Sequence, residues 1–390
     1  MRSEWNASTI GESCSLVTDG SHFSPKSVEN GEYMVSVKDF TGYGFDFKSC
    51  RRISREDYET LKINGCVPKQ NDILIGKDGA RYFEDIVIYR QPERPALLSS
   101  IAILRCDEHK ILPEFLYYIL RTPSFRQYVR DNYGSGSAIP RIILRDFKRM
   151  PISYPSLEEQ KKVASVLTAL DSRIRINEQI NDNLQQQAAT LFKALFVDLV
   201  SFDGTMPSNW TISTLGDVTE MSAGGDKPKE SSPIKTPLYR YPIYSNGIND
   251  YGLYGYTNEP KIKVESVTVS ARGTIGYVCL RHIPYVPIVR LVTLIPDTSV
   301  LSAKYLYLYL RQLSITGTGT TQQQLTVPDF RKTEIIIPDK KIMDSFTETV
   351  TPLFEQIRAN EDENIELAEL RDALLPKLMS GEIDVSDVQL

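Results

Sequence analysis

An aspartate followed at a distance by Glu-x-Lys is the loosest arrangement with which a chain can hold a divalent cation against a phosphodiester. It occurs here as Asp146, Glu159 and Lys161. Two features weaken it. In a second copy of the same stretch Asp329 persists, but Ile342 replaces Glu159. Glu159 and Lys161 also follow Ser156 in SLEEQKK, which reads as a capped helix start where acidic side chains suit the dipole. No N/D-P-P-F/Y tetrapeptide of an amino-methyltransferase occurs, and no GxxxxGK[ST]. The pair Gly317 and Gly319 lacks the third glycine of a dinucleotide loop. The five cysteines (Cys14, Cys50, Cys66, Cys106, Cys279) are odd in number and contain no CxxC, and His22, His109 and His282 stand alone. That pattern is expected of reduced thiols in a cytoplasm, not of a disulfide frame or a metal site. What remains is donor–acceptor chemistry. In TGTGTTQQQ, residues 316–324, small residues let backbone approach a phosphate and consecutive glutamines can bond base edges.

Such loops need a rigid carrier. A chain of 390 residues is expected to form two or three domains. Its 41% hydrophobic and 24% charged residues are those of a soluble globular protein. No apolar run reaches the roughly 18–20 residues of a membrane helix. The opening MRSEWNASTIGESC is charged early and lacks the apolar stretch of a signal peptide. The formal net charge of −5 is unevenly spread. Residues 1–155 carry 22 Lys+Arg against 20 Asp+Glu, and residues 203–338 carry 13 against 11. Residues 156–202 carry 5 against 6, and residues 339–390 carry 5 against 13. Two mildly basic segments thus alternate with a near-neutral and a strongly acidic one, which permits nucleic-acid binding through local patches.

The chain is written twice. GSGSAIPRIILRDFKRMPISYP from Gly134 aligns with GTGTTQQQLTVPDFRKTEIIIP from Gly317 at an offset of 183. EFLYYILRT from Glu114 aligns with KYLYLYLRQ from Lys304 at 190, and ILIGKDGA from Ile73 with VTVSARGT from Val267 at 194. Each copy begins with short β-like runs: MVSVKDF, DILIG and SIAILRC, then YPIYS, SVTVS and RLVTLIP. An aromatic helix follows each set, with Phe115, Tyr117 and Tyr118 or Tyr305, Tyr307 and Tyr309 expected in the core. This is a mixed α+β lobe, present twice.

After each lobe comes a heptad seam. It falls on Val163, Leu167, Leu170, Ile174, Asn177, Asn181, Leu184, Ala188, Leu191 and Leu195. At an offset of 183 it recurs on Phe346, Val350, Leu353, Ile357, Asn360, Asn364, Leu367, Arg371, Leu374 and Leu378, with Arg371 as the one break. The order lobe, helix, lobe, helix requires the two helices to run antiparallel if they pack together. A pseudo-two-fold axis near residues 179 and 362 would then pair Asn177 with Asn364 and Asn181 with Asn360. A buried Asn pair costs stability and fixes register, because a slip sets an amide against Leu or Ile.

TDGSHFSPK, SLEEQKKVASVLTALDSRIRINEQINDNL, YPIYSNGINDY, SARGTIGYV and LLPKLMSGEIDV occur in this order around the duplication. Through them the chain resembles, over nearly all its length, the DNA-specificity (S) subunit of Type I restriction-modification enzymes. The resemblance implies an α+β fold with two target-recognition lobes, residues 1–155 and 203–338, held apart by antiparallel spacer helices at residues 156–202 and 339–390. It implies a non-catalytic cytoplasmic subunit in which each lobe reads one half of a bipartite, asymmetric site on double-stranded DNA. The implied partners are two methyltransferase subunits docked on the helices, and restriction/translocase subunits in the larger assembly. S-adenosylmethionine, ATP and Mg²⁺ would belong to those partners, with no cofactor on this chain and no membrane. Two other classes stand beside this reading. A standalone DNA-modifying enzyme would bind S-adenosylmethionine or cleave alone, and a coiled-coil protein-binding scaffold would ignore DNA.

Base readout needs Arg, Lys, Asn or Gln on loops, and phosphate contacts add Ser, Thr and backbone N–H groups. Four places in each lobe qualify. His22 and Lys26 correspond to Lys227 and Lys229, and Lys38 to Arg240, Tyr244, Ser245 and Asn246. Lys77, Arg81 and Tyr82 correspond to Arg272. Ser135, Ser137 and Arg141 correspond to Thr318, Thr320, Thr321, Gln322, Gln323 and Gln324.

Overall fold

The computed structural model describes residues 5–133, 140–317 and 324–388. Two compact units divide the chain, one of residues 1–176 with 363–390 and one of residues 177–362. Each holds one lobe and a part of both long helices.

In the first unit, Cys14–Asp19, Ile101–Cys106, Ile73–Gly76 and Ile86–Ile88 form an antiparallel sheet in that order. The Ile-rich runs are buried on both faces, as a central strand requires. The second unit repeats the sheet with Thr219–Ala223, Val292–Pro296, Ser266–Val269 and Val278–Arg281. A smaller sheet also recurs. Glu32–Val35 is antiparallel to Arg51–Ile53 and parallel to Ala96–Leu97; Tyr241–Tyr244 is antiparallel to Leu253–Thr257 and parallel to Val286–Pro287. The strand expected through MVSVKDF stops at Val35. Asp39 accepts from the Ser36 backbone N–H (2.8 Å) and hydroxyl (3.1 Å), which folds Val37–Asp39 into one 3-10 turn. Pro113–Arg121 and Ala303–Gln312 are the aromatic helices. Phe115, Tyr118, Tyr305 and Tyr307 are buried, and Tyr117 and Tyr309 half-buried.

The long helices are Leu157–Phe192 and Lys340–Met379. In both units they run antiparallel. In the first, Arg173 Nε donates to Glu363 Oε1 at 2.8 Å, and Arg371 Nη1 to Asp171 Oδ1 at 2.8 Å. In the second, Asn360 Nδ2 donates to Asn181 Oδ1 at 2.7 Å, and the Phe192 ring meets Phe346 at 6.0 Å. Asn181 Nδ2 also donates to the Ile357 carbonyl at 3.3 Å, so the buried amide is bonded to both side chain and backbone of the facing helix. Asn177 is buried in this unit as well; its expected partner Asn364 is half-buried in the other.

The seam departs from expectation at its end. Leu191 is exposed, and Phe192 and Phe196 take the buried side. A straight helix drifts against a strict seven-residue count, which moves the stripe from Leu191 to Phe192; beyond it, residues Lys193–Val197 wind as a π-turn. The second helix keeps the expected Leu378 buried and adds Leu375 and Met379 beside it, with Leu374 half-buried.

Arg371 breaks the seam for a visible reason. The Asp171 carboxylate facing it also accepts from the Tyr118 hydroxyl at 2.9 Å and Arg121 Nη1 at 3.4 Å, tying both long helices to the aromatic helix. In the repeat, Phe354 and Ala188 stand at these two positions, and the Tyr307 ring packs on Phe354 at 5.8 Å instead. Asp171→Ala therefore leaves Arg121 without a carboxylate and Arg371 with only Asp372, which accepts from its Nε at 2.9 Å. The expected loss is about 3 kcal/mol, the low end for breaking a buried pair because these side chains keep some solvent contact. A fall in the denaturation midpoint of the first unit, followed by hydrogen exchange, checks this.

Candidate nucleic-acid interface

At the end of the Ile73–Gly76 strand the chain turns through Gly79, whose φ of +93° lies in the region open mainly to glycine. The repeat turns at Gly273, φ +70°. In both lobes this turn is stitched to the segment that precedes the last strand. Ile142 N–H donates to the Lys77 carbonyl at 3.0 Å, and Leu325 N–H donates to the Ala271 carbonyl at 3.0 Å. The offsets of 194 and 183 make these the same bond.

One residue on each side of that bond reaches across it. In the first lobe, Arg141 Nε and Nη2 donate to the two oxygens of Asp78 at 2.9 and 3.0 Å. In the second, Arg272 Nε and Nη2 donate to Gln324 Oε1 at 3.2 and 3.0 Å. Asp78 aligns with Arg272 and Arg141 with Gln324, so the clasp recurs with acceptor and guanidinium exchanged.

The first-lobe clasp extends inward. The sequence reading sets Lys77 on an exposed loop; its side chain is in fact 3% exposed, with Nζ 3.3 Å from Asp19 Oδ2 and 3.6 Å from Asp78 Oδ1. Its charge is spent on two carboxylates and is not offered to a phosphate. His22 lies on the outside of the same group, Nε2 3.5 Å from Asp19 Oδ2. The fold thus gathers His22, Lys77 and Arg141 around Asp19 and Asp78. Arg81 is exposed beside them and bonded to Asp85 at 2.8 Å; that hydrogen bond raises the guanidinium above its ordinary range. Tyr82 is half-buried against the core.

In the second lobe Asn246 belongs to the scaffold and not to a reading surface. Its Nδ2 donates to the Val289 carbonyl at 2.6 Å, and its Oδ1 accepts from Ala271 N–H at 2.7 Å, next to Arg272. Ser245 N–H donates to the Gly252 carbonyl at 2.8 Å. Tyr244 lies under Arg281, whose guanidinium carbon is 3.6 Å from the ring centre, and burial pushes its phenol up from the usual value. Lys227 stands over the Tyr254 ring and Arg240 over Tyr241. Lys26, Lys38 and Lys229 are exposed and make no ion pair with described residues. Ser135, Ser137, Thr318, Thr320, Thr321, Gln322 and Gln323 lie outside the described residues.

Sequence reasoning missed Asp19 and Asp78, which hold the basic side chains in place. The signal was present: the two repeat offsets place Asp78 over Arg272 and Arg141 over Gln324. Asp146 lies in the short helix Leu144–Arg149, with Arg145 Nε 3.8 Å from its carboxylate. Among the described residues no group of three or more His, Cys, Asp or Glu is placed to hold a metal ion. Nor is any described helix long and apolar enough to cross a membrane.

Residues 2–186 and 207–369 each match the Type I restriction modification DNA specificity domain. The chain belongs to this family. The family match falls once on each copy of the repeat, which agrees with the twofold recurrence of sheet and clasp. Relatives include the Type I restriction enzyme MjaIX specificity subunit of Methanocaldococcus jannaschii, 30% identical over 316 residues, 71% of each chain. The HindI specificity subunit of Haemophilus influenzae is 26% identical over 403 residues, 81% of this chain and 87% of its own. The fold is that of the Type I restriction-modification S subunit crystallised from M. genitalium, with a TM-score of 0.61, 18% identity, and 97% of this chain and 96% of that one covered.

Proposed function

We propose that this chain is the DNA-recognition subunit of a Type I restriction-modification complex, with each lobe contacting one half of a bipartite, asymmetric site on duplex DNA. One observation carries the reading. The same loop junction occurs twice in one chain, closed by the same backbone hydrogen bond and carrying different side chains. Equal frames with unequal side chains suit two readers of different half-sequences. The antiparallel helices serve as the spacer that sets the unread gap, and dock two methyltransferase subunits. The second helix segment, with 5 Lys+Arg against 13 Asp+Glu, suits a basic partner surface. Restriction/translocase subunits join that assembly in the cytoplasm. S-adenosylmethionine, ATP and Mg²⁺ act on those partners, and this chain contributes recognition without catalysis.

Mapping methylated adenines in host DNA with and without the chain tests the proposal. The expected result is a two-part motif of constant internal gap that vanishes when the chain is removed. Unchanged methylation without it, or modified sites lacking a constant interval, would overturn the reading.

A further inference from the structure

A guanidinium has two hydrogen-bonding edges, the Nε–Nη2 side and the Nη1–Nη2 end. Arg141 and Arg272 both give the side edge to the acceptor across the clasp. Among the described residues no acceptor bonds Nη1 of either. Arg141 keeps half its side chain in solvent, and Arg272 is exposed. We propose that these two arginines each read a guanine in the major groove, one per half-site, with Asp78 and Gln324 as positioning residues; this rests on the DNA-reading role proposed above.

The chemistry is specific to that base. Guanine alone sets two acceptors, O6 and N7, side by side on its major-groove edge, and the end edge of a guanidinium meets both. Free arginine must freeze a long side chain to make that contact, and an acceptor already holding the side edge removes much of the loss. Stability does not account for the clasp, since exposed pairs of this kind stabilise a fold little. Nor does its composition, because the residues have changed places between the copies. What both copies keep is one arginine held by the same edge.

The acceptors differ, and so should the two contacts. Asp78 is itself fixed by buried Lys77 and neutralises Arg141. Gln324 leaves the charge of Arg272 intact. Binding through the second lobe should therefore weaken more with added salt.

The test uses the full chain in complex with its methyltransferase subunits and a duplex carrying the mapped site. A G·C pair is expected in each half. Replacing the contacted guanine by 7-deazaguanine, which removes N7, should weaken binding on the order of tenfold. Arg141→Lys and Arg272→Lys keep the charge and lose the fork. Each should relax discrimination on the order of 10- to 100-fold at one position, only in its own half. Gln324→Ala should relax the same position as Arg272→Lys, and Gln324→Glu should restore it. The inference is overturned by a half-site without guanine, by indifference to 7-deazaguanine, or by variants that weaken all sequences equally. In each of those cases the unmodified complex still selects a bipartite site; if it selects none, the proposed function itself has failed.

Discussion

Replacing Phe192 by alanine should destabilise the second unit by about 3–5 kcal/mol, the range for deleting a fully enclosed aromatic ring. Phe192 is 1% exposed and sits where three elements of that unit converge. Its ring lies 5.2 Å from Phe196 in its own helix, 5.3 Å from Tyr305 in the aromatic helix and 6.0 Å from Phe346 in the second long helix. Tilted and edge-on pairs of this kind add to the area they bury. The cavity left by the alanine cannot close easily, because each neighbour is a ring fixed by its own partners; the Tyr305 hydroxyl donates to the Ile336 carbonyl at 2.6 Å. Phe192→Leu, which writes in the residue found at the repeat's equivalent Leu375, should cost less than half as much. Denaturation followed by hydrogen exchange would show whether the loss is confined to residues 177–362. An unchanged midpoint would mean that the lobe and helices of this unit do not share one core.

Much of this was legible beforehand, for reasons that differ by element. The central strands were visible as short β-branched and apolar runs between turn residues, unbroken in Ile73–Gly76 and interleaved with buried Ser and Thr in Ser266–Val269. The helices were visible because their apolar residues recur every three or four positions. The duplication made each assignment twice. Leu191 was misread because a heptad count steps the seam about every 3.5 residues, while an α-helix turns about every 3.6 and drifts off that count before Lys193 is reached. Lys77 was misread for another reason. Lysine beside Asp-Gly looks like an exposed turn, yet Asp19, 58 residues earlier, is folded against it and takes its charge inside. Residue types on loops can be read from sequence, but their pairings depend on contacts distant along the chain.

The two long helices can be lengthened without touching either lobe, which tests the spacer role proposed for them. Arg173 with Glu363 in the first unit, and Asn181 with Asn360 in the second, are cross-helix pairs on either side of a stretch where residues can be added. Four residues placed after Arg175 and four after Asp362 leave both pairs intact, since each helix gains the same length between them. At 1.5 Å per residue the helices grow by about 6 Å, between one and two base pairs at roughly 3.4 Å each. Four added residues also amount to a stutter, which a coiled coil absorbs by local unwinding without losing its seam. Methylation mapping should then return both half-sequences unchanged, with the gap longer by one or two base pairs. Four residues in one helix alone should abolish modification, because satisfying the Asn pair would pull Arg173 and Glu363 about a turn out of line. New half-sequences in the doubly extended chain, or full activity at the old gap, would show that these helices do not measure the distance between the two readers.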